Sequence, residues 1–273
     1  MHDIDLGAPP TERAMIFETE AGRISVDQLG SGPDVILLHS LLSDRNSFGK
    51  IVPSMIRSYR VSLVDLPGFG STEMTEPTID AYADMIGGLL AVGDFDHDHT
   101  VLLGNGLGAF VALGTAIRHG DRFGKLILSG VGSHFPEDAK MPFKNMIGLA
   151  GEKGMDALVD VAVRRIFSAD YLAEHPEQAE ERKTVLRRTK PEAFIAACRA
   201  LVDLDYRDQV STVANPTMIV VGSEDEATTP AMAAELASSV PGARLEVMQG
   251  VAHAPQLQTP VKFWGLVQSF LTD

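Results

Sequence analysis

The chain has 273 residues, 45% of them hydrophobic, which is enough for two small domains or one large α/β domain with a sizeable core. A formal net charge of −14 leaves no excess of Lys and Arg to neutralise phosphates, which argues against nucleic acid or an anionic membrane and for a small-molecule partner. One cysteine, Cys198, cannot form an internal disulfide, so the chain fits the cytoplasm.

The first segment, "MHDIDLGAPPTERAM", carries acids where a secretory leader needs a basic start and an apolar centre, so no leader is expected. "AMIFETE" and "RISVDQL" then alternate as a hairpin would. "DVILLH", "YRVSLVDL", "HTVLLG", "KLILSG", "PTMIVVG" and "ARLEVMQ" read as short strands, too short to cross a membrane. "TIDAYADMIGGLLAVG", "LGAFVALGTAIRHG" and "AMAAELASSV" between them have helical spacing. Such alternation predicts a mostly parallel sheet with helices on both faces and a site at the carboxyl ends of the strands. Between Pro136 and Tyr206 only helical patterns occur, so residues 136–206 are expected to form a helical cap inserted into a core made of 1–135 and 207–273.

The stretch "VLLGNGLGAF" at 101–110 is a strand-to-helix turn rich in glycine. Gly104, Gly106 and Ala109 satisfy the spacing of a dinucleotide-binding turn. That motif belongs to the first strand of its unit and needs an acid at the end of the next, whereas here several strands precede it and "KLILSGVG" has no acid. The other reading is a nucleophile elbow, G-x-S-x-G, in which Gly104 and Gly108 fit the outer places and Asn105 and Leu107 the variable ones. Gly106 then stands where serine is expected. The elbow places its acid and its base later in the chain, in that order. Asp225 follows the strand "PTMIVVG" and His253 follows "ARLEVMQG", both in strand-end loops. Upstream, "VILLHSLLSDRNSF" leaves a strand at His39 and turns through Ser40 and Leu41.

From about residue 14 to the C-terminus, these loops in this order resemble the α/β-hydrolase superfamily. "GMDALVDVAVRRIF", "RTKPEAFIAACRALVDLDYRD" and "VGSEDEATTPAMAAELASSVPGARLEVMQGVAHAPQLQTP" are similar to 3-oxoadipate enol-lactonases and related lactone or carbon-carbon bond hydrolases of aromatic catabolism. The resemblance implies an α/β-hydrolase fold and hydrolysis of a small lactone, ester or ring-cleavage product without a cofactor. It implies Asp225 as triad acid, His253 as base, and the amides of Leu41 and Leu107 as the oxyanion hole. The chain departs from the pattern at Gly106 and again at Ser40, where many relatives have glycine after the histidine.

Glycine has no group to donate, so covalent chemistry through position 106 is impossible. Three explanations follow: an inactivated variant in which glycine replaces serine, a natural enzyme using His253 and Asp225 as a general-base dyad for hydrolysis or for a lyase, cyclase or oxygenase step, or a ligand-binding protein. Ser40 and Asn105 are assigned to the substrate pocket. Ser40 is not expected to be a nucleophile, because a serine in a turn usually bonds its own backbone. Arg164 and Arg165 are candidates to meet a substrate carboxylate. The "DHDH" run at 96–99 reads as a solvated loop rather than a metal site, Cys198 and Trp264 as packing, and self-association stays open.

Overall fold

The computed structural model describes residues 14–272; the leader reading at the N-terminus lies outside them. The strands are β1 (Met15–Thr19), β2 (Gly22–Gly30), β3 (Asp34–Leu38), β4 (Arg60–Val64), β5 (Val101–Asn105), β6 (Lys125–Ser129), β7 (Thr217–Gly222) and β8 (Arg244–Met248). They form one sheet in the order β1-β2-β4-β3-β5-β6-β7-β8. β1 and β2 pair antiparallel as the expected hairpin, β2 runs antiparallel to β4, and every later pairing is parallel.

Successive residues of a strand point to opposite faces, and the central strands are apolar on both. Val35 and Leu37 of β3, Val101 and Leu103 of β5, and Met218 and Val220 of β7 pack with Val52 and Met55 of the short α1 (Val52–Met55). Phe263, Val267 and Phe270 of the C-terminal helix share that core, and Trp264 packs against it. Ile36 and Leu38, Leu102, and Ile219 and Val221 face the other way, onto α2 (Ile79–Val92) and α3 (Leu107–His119). α2 begins where the Thr78 hydroxyl accepts the Ala81 N–H at 3.1 Å, satisfying an amide with no partner inside the helix.

Between β6 and β7 the chain makes only helices: α4 (Glu137–Lys153), α5 (Val159–Ile166), α6 (Ala169–Glu174), α7 (Pro176–Arg188) and α8 (Pro191–Val202). The base of this segment is stapled, His134 bridging Asp205 and the Tyr206 N–H donating to Ser133 O at 2.9 Å. After β7 come α9 (Pro230–Ser239), β8, α10 (Pro255–Gln258) and α11 (Pro260–Thr272). Among the described residues no helix is long and apolar enough to cross a membrane.

The loop after β3 is fixed by a buried charge. Arg45, 2% exposed, reaches Asp65 at 3.2 Å, Asp27 at 3.3 Å and the Ser25 hydroxyl at 3.2 Å. These groups join that loop to β2 and to the loop after β4. Removing the cation leaves carboxylates buried without their partner, so Arg45→Ala is expected to destabilise the fold by about 3–5 kcal/mol in denaturant titration. Arg118→Ala, which breaks an exposed pair with Asp84, is expected to cost under about 1 kcal/mol.

Candidate active site

The β5–α3 turn is shaped by close backbone contact. A Cβ on Gly104 would overlap the Gly108 carbonyl, and one on Gly108 would overlap the Leu38 carbonyl and stand 2.7 Å from that of His39. Gly106 lies between them at φ 54° and ψ −120°, a left-handed backbone that glycine adopts without a steric penalty. The Gly108 N–H donates to His39 O at 3.0 Å, tying this turn to the loop after β3.

That tie brings Leu41 and Leu107 to the wall of one cavity. Leu107 is the first residue of α3, so its N–H has no partner inside the helix. Among the described residues neither amide donates a hydrogen bond. A free N–H at a helix N-terminus favours negative charge beside it.

Asp225 and His253 leave the ends of β7 and β8 as expected and meet, His253 Nδ1 donating to Asp225 Oδ2 at 2.9 Å. The other carboxylate oxygen, Oδ1, accepts the N–H groups of Ala227 and Thr228, each at 2.9 Å. The Thr228 hydroxyl donates to Oδ2 at 2.8 Å and lies 3.2 Å from His253 Nδ1. Burial opposes the Asp225 charge, but the adjacent His253 and the hydrogen bonds from His253 and Thr228 outweigh it and hold the carboxyl below its ordinary value. With Nδ1 committed to the carboxylate, His253 turns Nε2 toward the cavity as an acceptor.

Ser40 departs from expectation. Its hydroxyl leaves its own backbone alone and stands 3.5 Å from His253 Nε2. Ser43 takes the local role, its hydroxyl accepting the Ser40 N–H and donating to Ser40 O, both at 3.1 Å. A Cβ on Gly106 would overlap Ser40 Oγ and sit 2.7 Å from His253 Nε2. The space beside Gly106 is therefore occupied by the Ser40 hydroxyl.

Asn105 does not line that cavity but a smaller pocket beside it, shared with Ser40 and His253. It is fully buried, its side-chain amide donating to the carbonyls of His253 at 2.9 Å and Ser129 at 3.3 Å and its oxygen accepting from Gln256 at 2.8 Å. Its role is to hold the His253 loop. The paired arginines separate as well. Helix geometry turns adjacent residues about 100° apart, so Arg165 lines the cavity with Gly106 and His253 while Arg164 is exposed on a neighbouring groove. Among the described residues Arg165 makes no salt bridge or hydrogen bond, and its guanidinium lies 5.9 Å from the Phe143 ring centre. Burial lowers the Arg165 pKa, with the charges of Asp225 and Glu226 pulling the other way. A guanidinium nevertheless stays charged at any ordinary pH.

The cavity is otherwise walled by Leu42, Phe110, Phe135, Phe143, Met146, Leu201 and Ala227. Phe143, Met146, Arg165 and Leu201 come from the helical segment, the rest from the sheet's carboxyl end. Cys198 is buried and its thiol is pushed up by that burial, so it stays protonated. In the "DHDH" loop, His99 Nδ1 pairs with exposed Asp96 at 2.9 Å, and among the described residues no group of His, Cys, Asp and Glu side chains is placed to hold a metal ion. Thr228 escaped the sequence reading because a threonine two places before a proline carries no signal of its own.

The sequence pattern of the Alpha/beta hydrolase family matches residues 35–265, and the chain belongs to that family. It is 28% identical to a pimeloyl-[acyl-carrier protein] methyl ester esterase of Aeromonas hydrophila over 91% of this chain and 99% of that protein. It is 26% identical to a 2-hydroxy-6-oxononadienedioate/2-hydroxy-6-oxononatrienedioate hydrolase of Cupriavidus pinatubonensis over 91% of this chain and 90% of that one. The enol-lactonase structure from Burkholderia xenovorans LB400 superposes with a TM-score of 0.87 at 24% identity, covering 95% of this chain and all of that one (100%), which shows the shared fold.

A carboxyl held below its ordinary value stabilises the fold above the unfolded value of 3.8, and this contribution is lost as pH falls through the lower folded value. In that window the unfolded chain binds more protons, so stability rises with pH. Asp225→Asn is therefore expected to flatten the acid limb of a stability-against-pH curve below about pH 4. An unchanged slope would contradict the assignment.

Proposed function

We propose that this α/β-hydrolase cleaves a small ester, lactone or ring-cleavage product that bears a carboxylate, with His253 as general base and acid and Asp225 holding its tautomer. The observation that carries the reading is the buried Asp225–His253 pair, whose histidine lines the same apolar cavity as Leu41 and Leu107, two residues whose amides donate no hydrogen bond among the described residues. His253 Nε2 takes the proton of an attacking O–H group as that oxygen adds to the carbonyl carbon. The resulting oxyanion sits on the N–H groups of Leu41 and Leu107. His253 then returns the proton to the departing oxygen or carbon, and Asp225 stabilises the imidazolium between the two transfers.

Arg165 supports the carboxylate. A cation that makes no salt bridge or hydrogen bond among the described residues, and lies over the Phe143 ring in an apolar cavity, favours an anionic group that takes both nitrogens of the guanidinium. One relative is named for a methyl ester, which supports ester cleavage, and another for dienedioates, which supports a carboxylate. The helical segment 136–206 serves as the cap, supplying Arg165 and much of the apolar wall. Leu41 and Leu107 form the oxyanion hole, Ser40 lines the substrate cavity, and Arg164 lies outside that cavity. A buried single cysteine suits a cytoplasmic enzyme, in keeping with a role in the catabolism of aromatic compounds.

Turnover of a dicarboxylate monomethyl ester and of an enol-lactone in ¹⁸O-water tests this. One solvent oxygen is expected in the product acid, and His253→Ala is expected to lower kcat by about 10²–10⁴-fold. A product without solvent oxygen would make the reaction a lyase or cyclase step, and binding without turnover would make the chain a ligand-binding protein; either result defeats the proposal. Arg165→Gln is expected to raise KM about tenfold to a hundredfold for the monoacid ester and to leave a neutral aryl ester unchanged, the size following from roughly 1.5–3 kcal/mol for a hydrogen bond to a charged group.

A further inference from the structure

We infer that Ser40 is the nucleophile of this enzyme, working with His253 and Asp225 in place of the serine that the elbow lacks. The inference rests on the hydrolytic reading above and names the attacking oxygen that reading left general.

Four observations converge on it. First, Ser40 Oγ faces the free nitrogen of His253 at 3.5 Å, the looser separation expected of a nucleophile and base before substrate tightens them. Second, the hydroxyl is 6% exposed at the residue level and lines the cavity, so it is shielded from bulk water yet open to a bound ligand. Third, its backbone is pinned while its side chain is free. Ser43 engages both the N–H and the carbonyl of Ser40, and His39 Nδ1 donates to the same carbonyl at 2.9 Å. The His39 tautomer is fixed in turn, because its Nε2 accepts the Leu66 N–H at 3.2 Å and burial keeps the ring neutral.

Fourth, the two departures from the family pattern fit one another in space. Any side chain at position 106 would overlap the Ser40 hydroxyl, and glycine at 106 is what leaves that hydroxyl its place beside His253. The free amide of Leu41 follows Ser40 in the chain just as that of Leu107 follows the elbow residue. An oxyanion formed by attack from Ser40 thus keeps the same donors within reach.

The steps balance. Ser40 Oγ gives its proton to His253 Nε2 and forms a bond to the acyl carbon, and the carbonyl electrons move onto the oxygen held by the two amides. That tetrahedral adduct collapses to an acyl ester on Ser40, and the leaving oxygen takes the proton from His253. Water then adds with His253 again as base, and collapse releases the acid and restores the Ser40 hydroxyl.

The test uses the full chain with p-nitrophenyl acetate in stopped flow, and with phenylmethylsulfonyl fluoride followed by peptide mass mapping. The expected result is a burst of one p-nitrophenolate per chain, a sulfonyl adduct on Ser40, and loss of both in Ser40→Ala with kcat at least about 10³-fold lower. If Ser40→Ala turns over within threefold of the parent chain, with no burst and no adduct on Ser40, the inference is overturned while hydrolysis by activated water stands. Lost turnover in that variant without any adduct on Ser40 in the parent chain also overturns it and makes Ser40 a positioning residue. A parent chain that neither turns over nor labels overturns this inference and the hydrolytic reading together.

Discussion

The site depends on how closely the β5–α3 turn approaches the end of β3. Gly108 has no room for a Cβ against the Leu38 and His39 carbonyls, and its N–H closes the contact on His39 O at 3.0 Å. Because two backbones touch here, Ser40 and Leu41, which follow His39, and Gly106 and Leu107, which precede Gly108, come to line one cavity. Both free amides and the Ser40 hydroxyl come from this one contact. The rest of the machinery is brought to it: α3 supplies the positive end of its dipole, the buried Arg45 cluster holds the far side of the Ser40 loop, and Asn105 fastens the His253 loop from below.

The electrostatics of the pocket are arranged in pairs with one member missing. Asp225 is matched to His253 and Thr228, so its charge is kept in a site where burial alone would neutralise it. His253 is matched on one nitrogen and open on the other. Arg165 and the two amides are unmatched among the described residues, and all three prefer negative charge. A substrate with a carboxylate at one end and a reacting carbonyl at the other completes both, with the apolar wall between them. On the proposed function, that complementarity lets a chain with a net charge of −14 take an acidic ligand, since one half-buried cation acts locally where the overall field is screened.

Most of the fold is readable from the sequence because the strands are short apolar runs separated by helical spacing, a one-dimensional signal that needs no knowledge of contacts. The same holds for the positions of Asp225 and His253, which lie in order just past two strand ends and meet at 2.9 Å. What the pattern misreads are directions. Ser40 was expected to bond its own turn, but Ser43 took that role and freed its hydroxyl. Asn105 lines only the smaller adjoining pocket, where its amide holds the His253 loop, a placement that the elbow spacing does not give. Arg164 and Arg165 are adjacent in sequence and about 100° apart on α5, and only the packing of that helix decides which enters the cavity. Position 106 is the sharpest case. Read along the chain it is a serine that is missing, whereas in three dimensions its empty side is taken by a serine from a loop more than sixty residues earlier.

The most direct measurement is therefore kcat/KM for a short aryl ester in Gly106→Ser beside the parent chain. Glycine at this position as room for Ser40 predicts no gain or a loss, because the new Cβ crowds both Ser40 Oγ and His253 Nε2. A rise of several orders of magnitude would contradict the account and make Gly106 a disarmed nucleophile position.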